Sequence, residues 1–197
     1  MKPQTILFHG ISGAGKGTQA QLLKHYMEDK DSQNPVIYLS TGQEFRRFME
    51  GDSFASRKVK ALLDEGGLLP DFLPVWIWTD FLNRHMHTGK EHIILDGAVR
   101  RINEAPMMES ALDFFEREHP VVIILNVTRE RAIQHLKKRG RYDDNDDDIK
   151  ARLDWYETNV APALNYFREN NRYRVFDVNG EQGIEQVHAE IIERLGL

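Results

Sequence analysis

An α/β fold, with a parallel five-stranded sheet held between two layers of helices, is what this sequence predicts, and three observations carry the prediction. Apolar, β-branched-rich runs recur at Thr5 to His9, Val36 to Leu39, His92 to Leu95, Val121 to Val127 and Tyr173 to Val178. Stretches with the apolar spacing of amphipathic helices separate them, which is the alternation of βα units whose sheet is buried on both faces. A glycine-rich turn from Gly10 to Gly17 joins the first run to the first helical stretch.

With 197 residues the chain suits one domain, 1–197, carrying a small insertion, and is short for two. The formal charge of −5, with signs mixed along the chain, excludes the broad basic face that general nucleic-acid binding needs, so any cationic site must be local. No cysteine occurs, which removes a disulfide framework and a cysteine-based zinc site. The first strand begins close to Met1, and no apolar run nears the roughly 20 residues of a membrane span. A cytoplasmic protein is expected, without nucleic-acid or membrane partners, and monomeric rather than oligomeric.

Taken in order, Thr5 to His9 is the first strand, and Gly10, four residues, Gly15 and Lys16 have the spacing of a phosphate-binding loop. Small residues let successive backbone N–H groups face an anion, the following helix adds the positive end of its dipole, and the Lys16 ammonium can reach outer phosphates. Gly17 stands where the motif usually has a hydroxyl residue, and Thr18 supplies one a position later. In this form the segment Gly10 to Gln19 resembles the loop of nucleoside monophosphate kinases of the adenylate kinase family. The resemblance implies the three-layer fold of P-loop NTPases, and an ATP site made by Gly13, Ala14, Gly15, Lys16, Gly17 and Thr18.

After the second strand, Ser40-Thr41-Gly42-Gln43-Glu44-Phe45-Arg46 is similar to the family's S-T-G-D-x-x-R element. That likeness gives Thr41 the base of a nucleoside monophosphate and Arg46 its phosphate, for which a planar guanidinium fork is suited. The helical stretch 41–88 is long for a crossover and is expected to form a monophosphate-binding lobe. Trp76, Trp78 and Phe81 within it are expected to pack the lobe on the sheet rather than stack on a base. Glu65-Gly66-Gly67-Leu68-Leu69-Pro70 resembles the family's G-x-L-V-P turn, which places Gly67, Leu68 and Leu69 beside the acceptor.

The third strand ends in Leu95-Asp96-Gly97-Ala98-Val99-Arg100, similar to the family's L-D-G-[FY]-P-R. An aspartate at a strand's carboxyl end beside a phosphate loop can hold Mg²⁺ through its waters, so Asp96 and Thr18 are the metal candidates. The likeness puts Gly97, Ala98, Val99 and Arg100 at the monophosphate, although Ala98-Val99 replaces an aromatic-proline pair. Four residues on, Glu104 occupies the place of a glutamine that reads adenine. An ionised carboxylate only accepts hydrogen bonds and would repel the ring N1 lone pair.

Beyond the fourth strand, His135 to Asn145 resembles the family's R-x-x-x-R-G…R-x-D-D-N lid, reduced here to a very short lid, 139–145. His135 replaces the arginine that stacks on the ATP base. Arg139, Arg141 and, on the next helix, Arg152 match phosphate-clamping arginines. No Cys or His quartet interrupts the region, so no zinc is expected. The acidic run Asp143 to Asp148 reads as solvated carboxylates at a helix N-terminus; His85, His87 and His92 fit no ligand spacing and read as surface or core residues. Near the end, Gln182 falls where family members cover the ATP base.

The sequence therefore implies an adenylate kinase-like enzyme transferring phosphoryl from ATP to a nucleoside monophosphate with Mg²⁺. Lys16, Arg46, Arg100, Arg139, Arg141 and Arg152 are the catalytic candidates, with Arg141 and Arg152 also touching the acceptor. A UMP/CMP or broad-specificity kinase is the rival within enzymes, and a nucleotide-binding regulatory protein without turnover the rival outside them. Six cations at phosphate positions favour the enzyme.

Overall fold

The computed structural model describes residues 1–64, 69–141 and 144–197. Five strands form one parallel sheet in the order β2-β3-β1-β4-β5. These are β1 (Thr5–His9), β2 (Val36–Ser40), β3 (His92–Asp96), β4 (Val121–Asn126) and β5 (Arg174–Asn179). The central strand β1 is buried along its whole length, because β3 and β4 pair with it on either side and helices cover both faces. Alternation splits the side chains between the layers. Ile6, Phe8, Ile94 and Ile123 face helices α1 (Lys16–Lys30) and α9 (Ile184–Leu195), whereas Leu7, Leu95, Val122 and Ile124 join the core under α4 (Phe72–His85), α5 (Ala105–Phe114) and α8 (Ala161–Glu169). Among the described residues β5 pairs with β4 alone, and its Arg174, Asp177 and Asn179 are exposed.

Between β2 and β3 the chain forms α2 (Thr41–Met49), α3 (Phe54–Asp64) and α4. Trp78 and Phe81 pack into the core, while Trp76 is 42% exposed and meets Phe48 edge-on at 5.2 Å. After β4 come α6 (Arg129–Arg139) and α7 (Asp146–Trp155). Thr128 caps the first of these, Gly140 ends it in the left-handed conformation at φ 64°, and Asn145 caps the second by accepting from the Asp148 N–H. Ala132, Leu136, Ile149 and Leu153 make a small separate core with Ile11 and Val127. This core clips α6 and α7 to the turn after β1. Among the described residues no helix is long and apolar enough to cross a membrane.

At the opposite end of the sheet, the buried Arg117 guanidinium donates to Thr5 Oγ1 and to the carbonyls of Gly89, Gln4 and Glu91. Glu91 accepts from the N–H groups of His87 and Thr88 and from the Thr88 hydroxyl. These hydrogen bonds tie the α4–β3 and α5–β4 connections to β1 far from the glycine-rich turn. His92 is fully buried, taking the Gln4 N–H on Nδ1 and facing Asp31 through Nε2.

Candidate active site

The turn after β1 is pressed between β4 and α6. A Cβ at Gly10 would lie 2.6 Å from the Leu125 carbonyl oxygen, and one at Gly13 would lie 2.5 Å from that of Ala132. Both glycines have φ in the range that side chains avoid, 140° and 90°. Lys16 curls back over its own loop and donates to the Gly10 carbonyl at 2.8 Å and the Ile11 carbonyl at 3.0 Å. Burial pushes its pKa down to about 8; Asp96 acts against the shift, and Arg100 and Arg139 add to it. Behind the loop, His9 is buried against Phe167 with Nε2 unpartnered among the described residues. Burial, then Lys16 and Arg100, push its pKa down to about 3, so the imidazole stays neutral and adds no charge.

A cleft of about 1120 Å³ opens over this loop. Ser12 to Thr18 form its floor, including the ATP-site candidates Gly13, Ala14, Gly15, Gly17 and Thr18. All six cations singled out in the sequence, Lys16, Arg46, Arg100, Arg139, Arg141 and Arg152, line it. Its lining takes in Tyr38, Ser40, Gln43 and Arg46 from β2 and α2, and His135, Gly180 and Gln182 from α6 and the β5–α9 connection. The volume exceeds that of an ordinary single-ligand pocket and suits two nucleotides meeting over the loop.

Other acceptor-side candidates sit behind the cleft wall. Ala98 and Val99, which the likeness sets at the monophosphate, have their side chains buried in the core. Gly97 and Val99 have φ of 72° and 57°, unusual for a β-branched residue. The resulting tight reversal brings Arg100 Nε to the Gly97 carbonyl at 2.9 Å. Thr41 is buried with its hydroxyl unpartnered among the described residues, and the Leu69 carbonyl accepts from Arg101 at 2.8 Å. Gly67 and Leu68 lie outside the described residues. Glu104 is 1% exposed in a single turn of 3₁₀ helix, Ile102–Glu104, and takes the Arg100 N–H on Oε2 at 3.1 Å. Burial raises its pKa, against the pull of the Arg100 N–H and of the Arg100 and Arg101 charges.

On the β2–β3 side, Ser40 pairs with Asp96 in the sheet, so Tyr38, Ser40 and Asp96 project to the face carrying the loop. The Tyr38 hydroxyl donates to Asp96 Oδ2 at 3.3 Å, and burial, then the Asp96 charge, push the phenol up to about 12. A Cβ at Gly17 would lie 3.4 Å from the same carboxylate oxygen. The glycine after Lys16 thus leaves space between loop and carboxylate, and Asp96 and Thr18, which both line the cleft, offer oxygens that fit a hydrated Mg²⁺ keeping most of its own waters. Among the described residues no cluster of three or more His, Cys, Asp or Glu could cage a metal.

The stub between α6 and α7 departs from the sequence reading at one residue. Within the acidic run expected to be solvated, the Asp144 side chain is 1% exposed. It accepts from Arg139 Nε at 2.9 Å and Nη2 at 2.7 Å, from Arg152 Nη2 at 2.8 Å and from the Arg141 N–H at 3.1 Å. A hidden carboxylate is tolerable only with such partners. Burial alone would raise its pKa, but the two arginines hold it well below the usual range. Tyr142 and Asp143 of the stub lie outside the described residues.

His135 does not project as a free ring. Its Nδ1 lies 3.0 Å from the Gly13 carbonyl oxygen, which ties α6 to the loop. Gln182 Nε2 donates to the Asn179 carbonyl and to Glu190, and its own carbonyl accepts from Arg131 at 3.2 Å. Arg131, one helical turn before His135, also lines the cleft. Sequence reasoning missed it because no pattern distinguished it from the other charges of α6.

Comparison with known proteins agrees with this geometry. A family model described as adenylate kinase matches residues 8–172. The chain is 30% identical to "Adenylate kinase 1" of Nostoc sp. over 191 residues, 97% of this chain and 98% of that one. It is 32% identical to "Adenylate kinase" of Mycobacterium bovis over 97% of this chain and 98% of that one, and 32% identical to "Adenylate kinase" of a Cyanothece species over 94% and 92%. On this match over most of its length the chain belongs to the adenylate kinase family and is a nucleoside monophosphate kinase.

Proposed function

We propose that the protein transfers the terminal phosphoryl group of ATP to AMP, giving two ADP, and reversibly so. The observation that supports this best is the convergence of six cationic side chains on one large cleft, far more than binding a single nucleotide needs. An oxygen of the acceptor phosphate attacks the γ-phosphorus while the bond from phosphorus to the β–γ bridging oxygen breaks. That oxygen leaves with ADP. Phosphoryl transfer asks the protein for positioning and for charge placed in advance rather than for covalent chemistry. Lys16 and Arg139 hold the donor phosphates, Arg46 and Arg100 the acceptor phosphate, and Arg141 and Arg152 the group in flight. The segment 41–88 acts as the acceptor lobe, and Gly13 to Thr18, His135 and Gln182 receive the donor. Asp96 and Thr18 would hold Mg²⁺, which neutralises the β- and γ-phosphate oxygens when bound. The acceptor phosphate is already an anion, so no general base is assigned.

A coupled assay with ATP against AMP, CMP, UMP and GMP tests the reading. AMP is expected to give the highest kcat/KM. Binding of ATP without transfer to any of the four would leave a nucleotide sensor instead.

A further inference from the structure

Asp71 stands at the N-cap of α4, a place where an aspartate ordinarily accepts from a helix N–H, yet its carboxylate makes no such cap. It is drawn instead to the turn after β3, where Oδ1 accepts from Arg101 Nη1 and Oδ2 from Asn103 Nδ2 at 3.3 Å. These two donors hold its carboxyl below the usual carboxylate range. The same Arg101 Nη1 donates to the Leu69 carbonyl at 2.8 Å. On its other side the guanidinium lies over the Trp155 ring, 5.8 Å from the centroid, which backs the side chain with an aromatic face. The Arg101 backbone closes the turn that carries Glu104, its carbonyl accepting from the Glu104 N–H at 3.0 Å. One residue thus fastens the segment before α4 to the turn bearing Arg100 and Glu104. The cleft lining takes in Arg100 but not Arg101, so Arg101 acts on the cleft through the groups it holds. As a stabiliser of the fold the tie counts for little, because the Arg101 and Asp71 side chains are 19% and 46% exposed and ion pairs open to water are weak. What it supplies is register between two stretches more than 25 residues apart in sequence.

We propose that Arg101 is a positioning residue for the acceptor monophosphate, pinning Leu69 and Asp71 to the Arg100–Glu104 turn so that lobe and turn are in register before the nucleotide arrives. This rests on the assignment of segment 41–88, Arg100 and Glu104 to the acceptor in the reading above. Without the tie, binding must itself order the segment before α4, and that ordering is subtracted from affinity. Once the monophosphate is bound the register is restored and transfer proceeds as before. The signature is a rise in KM for the acceptor with kcat and KM for ATP held.

The test compares Arg101→Met, Arg101→Lys, Asp71→Asn and the double variant Arg101→Met with Asp71→Asn. Measured are kcat, KM for AMP and for ATP, melting temperature, and hydrogen exchange of the Asp71 to Leu73 amides with and without AMP. Arg101→Met is expected to raise KM for AMP about tenfold while kcat and KM for ATP stay within about twofold. Exchange at Asp71 to Leu73 should quicken in that variant and slow again when AMP binds. Asp71→Asn leaves the Leu69 bond in place, so its rise should be smaller, and the double variant should be no worse than Arg101→Met alone. Arg101→Lys keeps the charge but not the planar fork, and should recover only part of the affinity. If Arg101 instead attracted the monophosphate by its charge, Asp71→Asn would lower KM for AMP, and that fall would overturn the proposal. So would parental KM for AMP in Arg101→Met, an equal rise in KM for ATP, or losses that only track the unfolded fraction. A parent that transfers to none of AMP, CMP, UMP and GMP overturns the functional reading and the proposal with it, whereas an active parent matched by Arg101→Met overturns the proposal alone.

Discussion

Glu104 holds the backbone N–H of Arg100 on one carboxylate oxygen at 3.1 Å, so the residue proposed to face the acceptor base also fixes the peptide of the arginine proposed to hold its phosphate. Only Oε1 is left for a base edge. As a carboxylate it accepts the adenine amino group and repels N1; as a neutral acid it donates to N1 through its hydroxyl. Because burial raises the Glu104 pKa, the acid form persists to higher pH than for an ordinary glutamate. Preference for AMP over CMP should therefore strengthen as pH falls, whereas Glu104→Gln should show a pH-independent preference that exceeds that of the ionised wild type by about 1 to 3 kcal/mol in kcat/KM, the gap closing as pH falls. Equal, pH-independent selectivity in the two forms would remove Glu104 from base reading.

Lys16 gives a second pH dependence. With its pKa near 8, the free loop loses the ammonium as pH rises past 8, and a polyphosphate must draw a proton back when it binds. ATP affinity should fall above pH 8, approaching tenfold per unit, with proton uptake visible as buffer-dependent heat in calorimetry. Lys16→Ala should take up no proton there and lose transfer while melting like the parent. Constant affinity up to pH 9.5 would contradict the depressed pKa.

For stability, the far end of the sheet is the place to look. Glu91 accepts three hydrogen bonds while buried. Burial by itself would raise its pKa, yet those bonds pull it down to about 2. A depressed carboxylate stabilises the fold above its unfolded pKa near 4.5 and loses that contribution as pH falls toward 2. The loss should reach about 3 kcal/mol, read from urea unfolding between pH 5 and pH 2. Glu91→Gln keeps an acceptor but cannot titrate, so its stability should flatten over that window. An unchanged acid slope in the variant would assign the acid sensitivity elsewhere.

Tyr38→Phe is expected to weaken the metal arrangement without touching the fold. The hydroxyl orients Asp96 from outside the proposed metal site, and supports of that kind are worth about 10- to 100-fold in affinity or activity at metal centres; through waters the smaller figure applies. Titration of Mn²⁺ into the ADP complex, followed by electron paramagnetic resonance, should show weaker binding, with AMP affinity unchanged. Wild-type Mn²⁺ affinity in the variant would mean that Asp96 holds its orientation unaided.

Much of this was readable in the residues because it is local. The strand Thr5–His9, the turn and the start of α1 follow from a run of neighbouring residues whose conformation little else alters. β2 and β3 each extend one residue beyond their apolar runs, to Ser40 and Asp96, because those two residues pair across the sheet. Tyr173 falls outside β5 because its N–H closes a turn on the Asn170 carbonyl, and the ladder to β4 begins with the Arg174 N–H. Asp144 lay in a row of acids that looked alike, and burial, a property of tertiary contact, singles it out. Arg117 with Thr5 and His135 with Gly13 are more than 100 residues apart, and no spacing rule reaches that far. Val99 at positive φ contradicts its own preference, so a sequence rule could only misplace it.

The central position of β1 has a temporal consequence. Its partners are β3, reached 88 residues later at Thr5↔Ile93, and β4, paired at Ile6↔Val121. Pairings over such separations must close large loops before any contact rewards them. The phosphate turn leaves the ribosome first, yet it lacks its walls until Leu125 and Ala132 have been made, and the clamp lacks its last arginine until Arg152 follows. A nascent chain therefore carries the nucleotide signature long before it can grip a nucleotide. Pull-down of stalled chains on immobilised ATP should register a sharp onset rather than a gradual one, making ligand capture a clock for completion of the sheet.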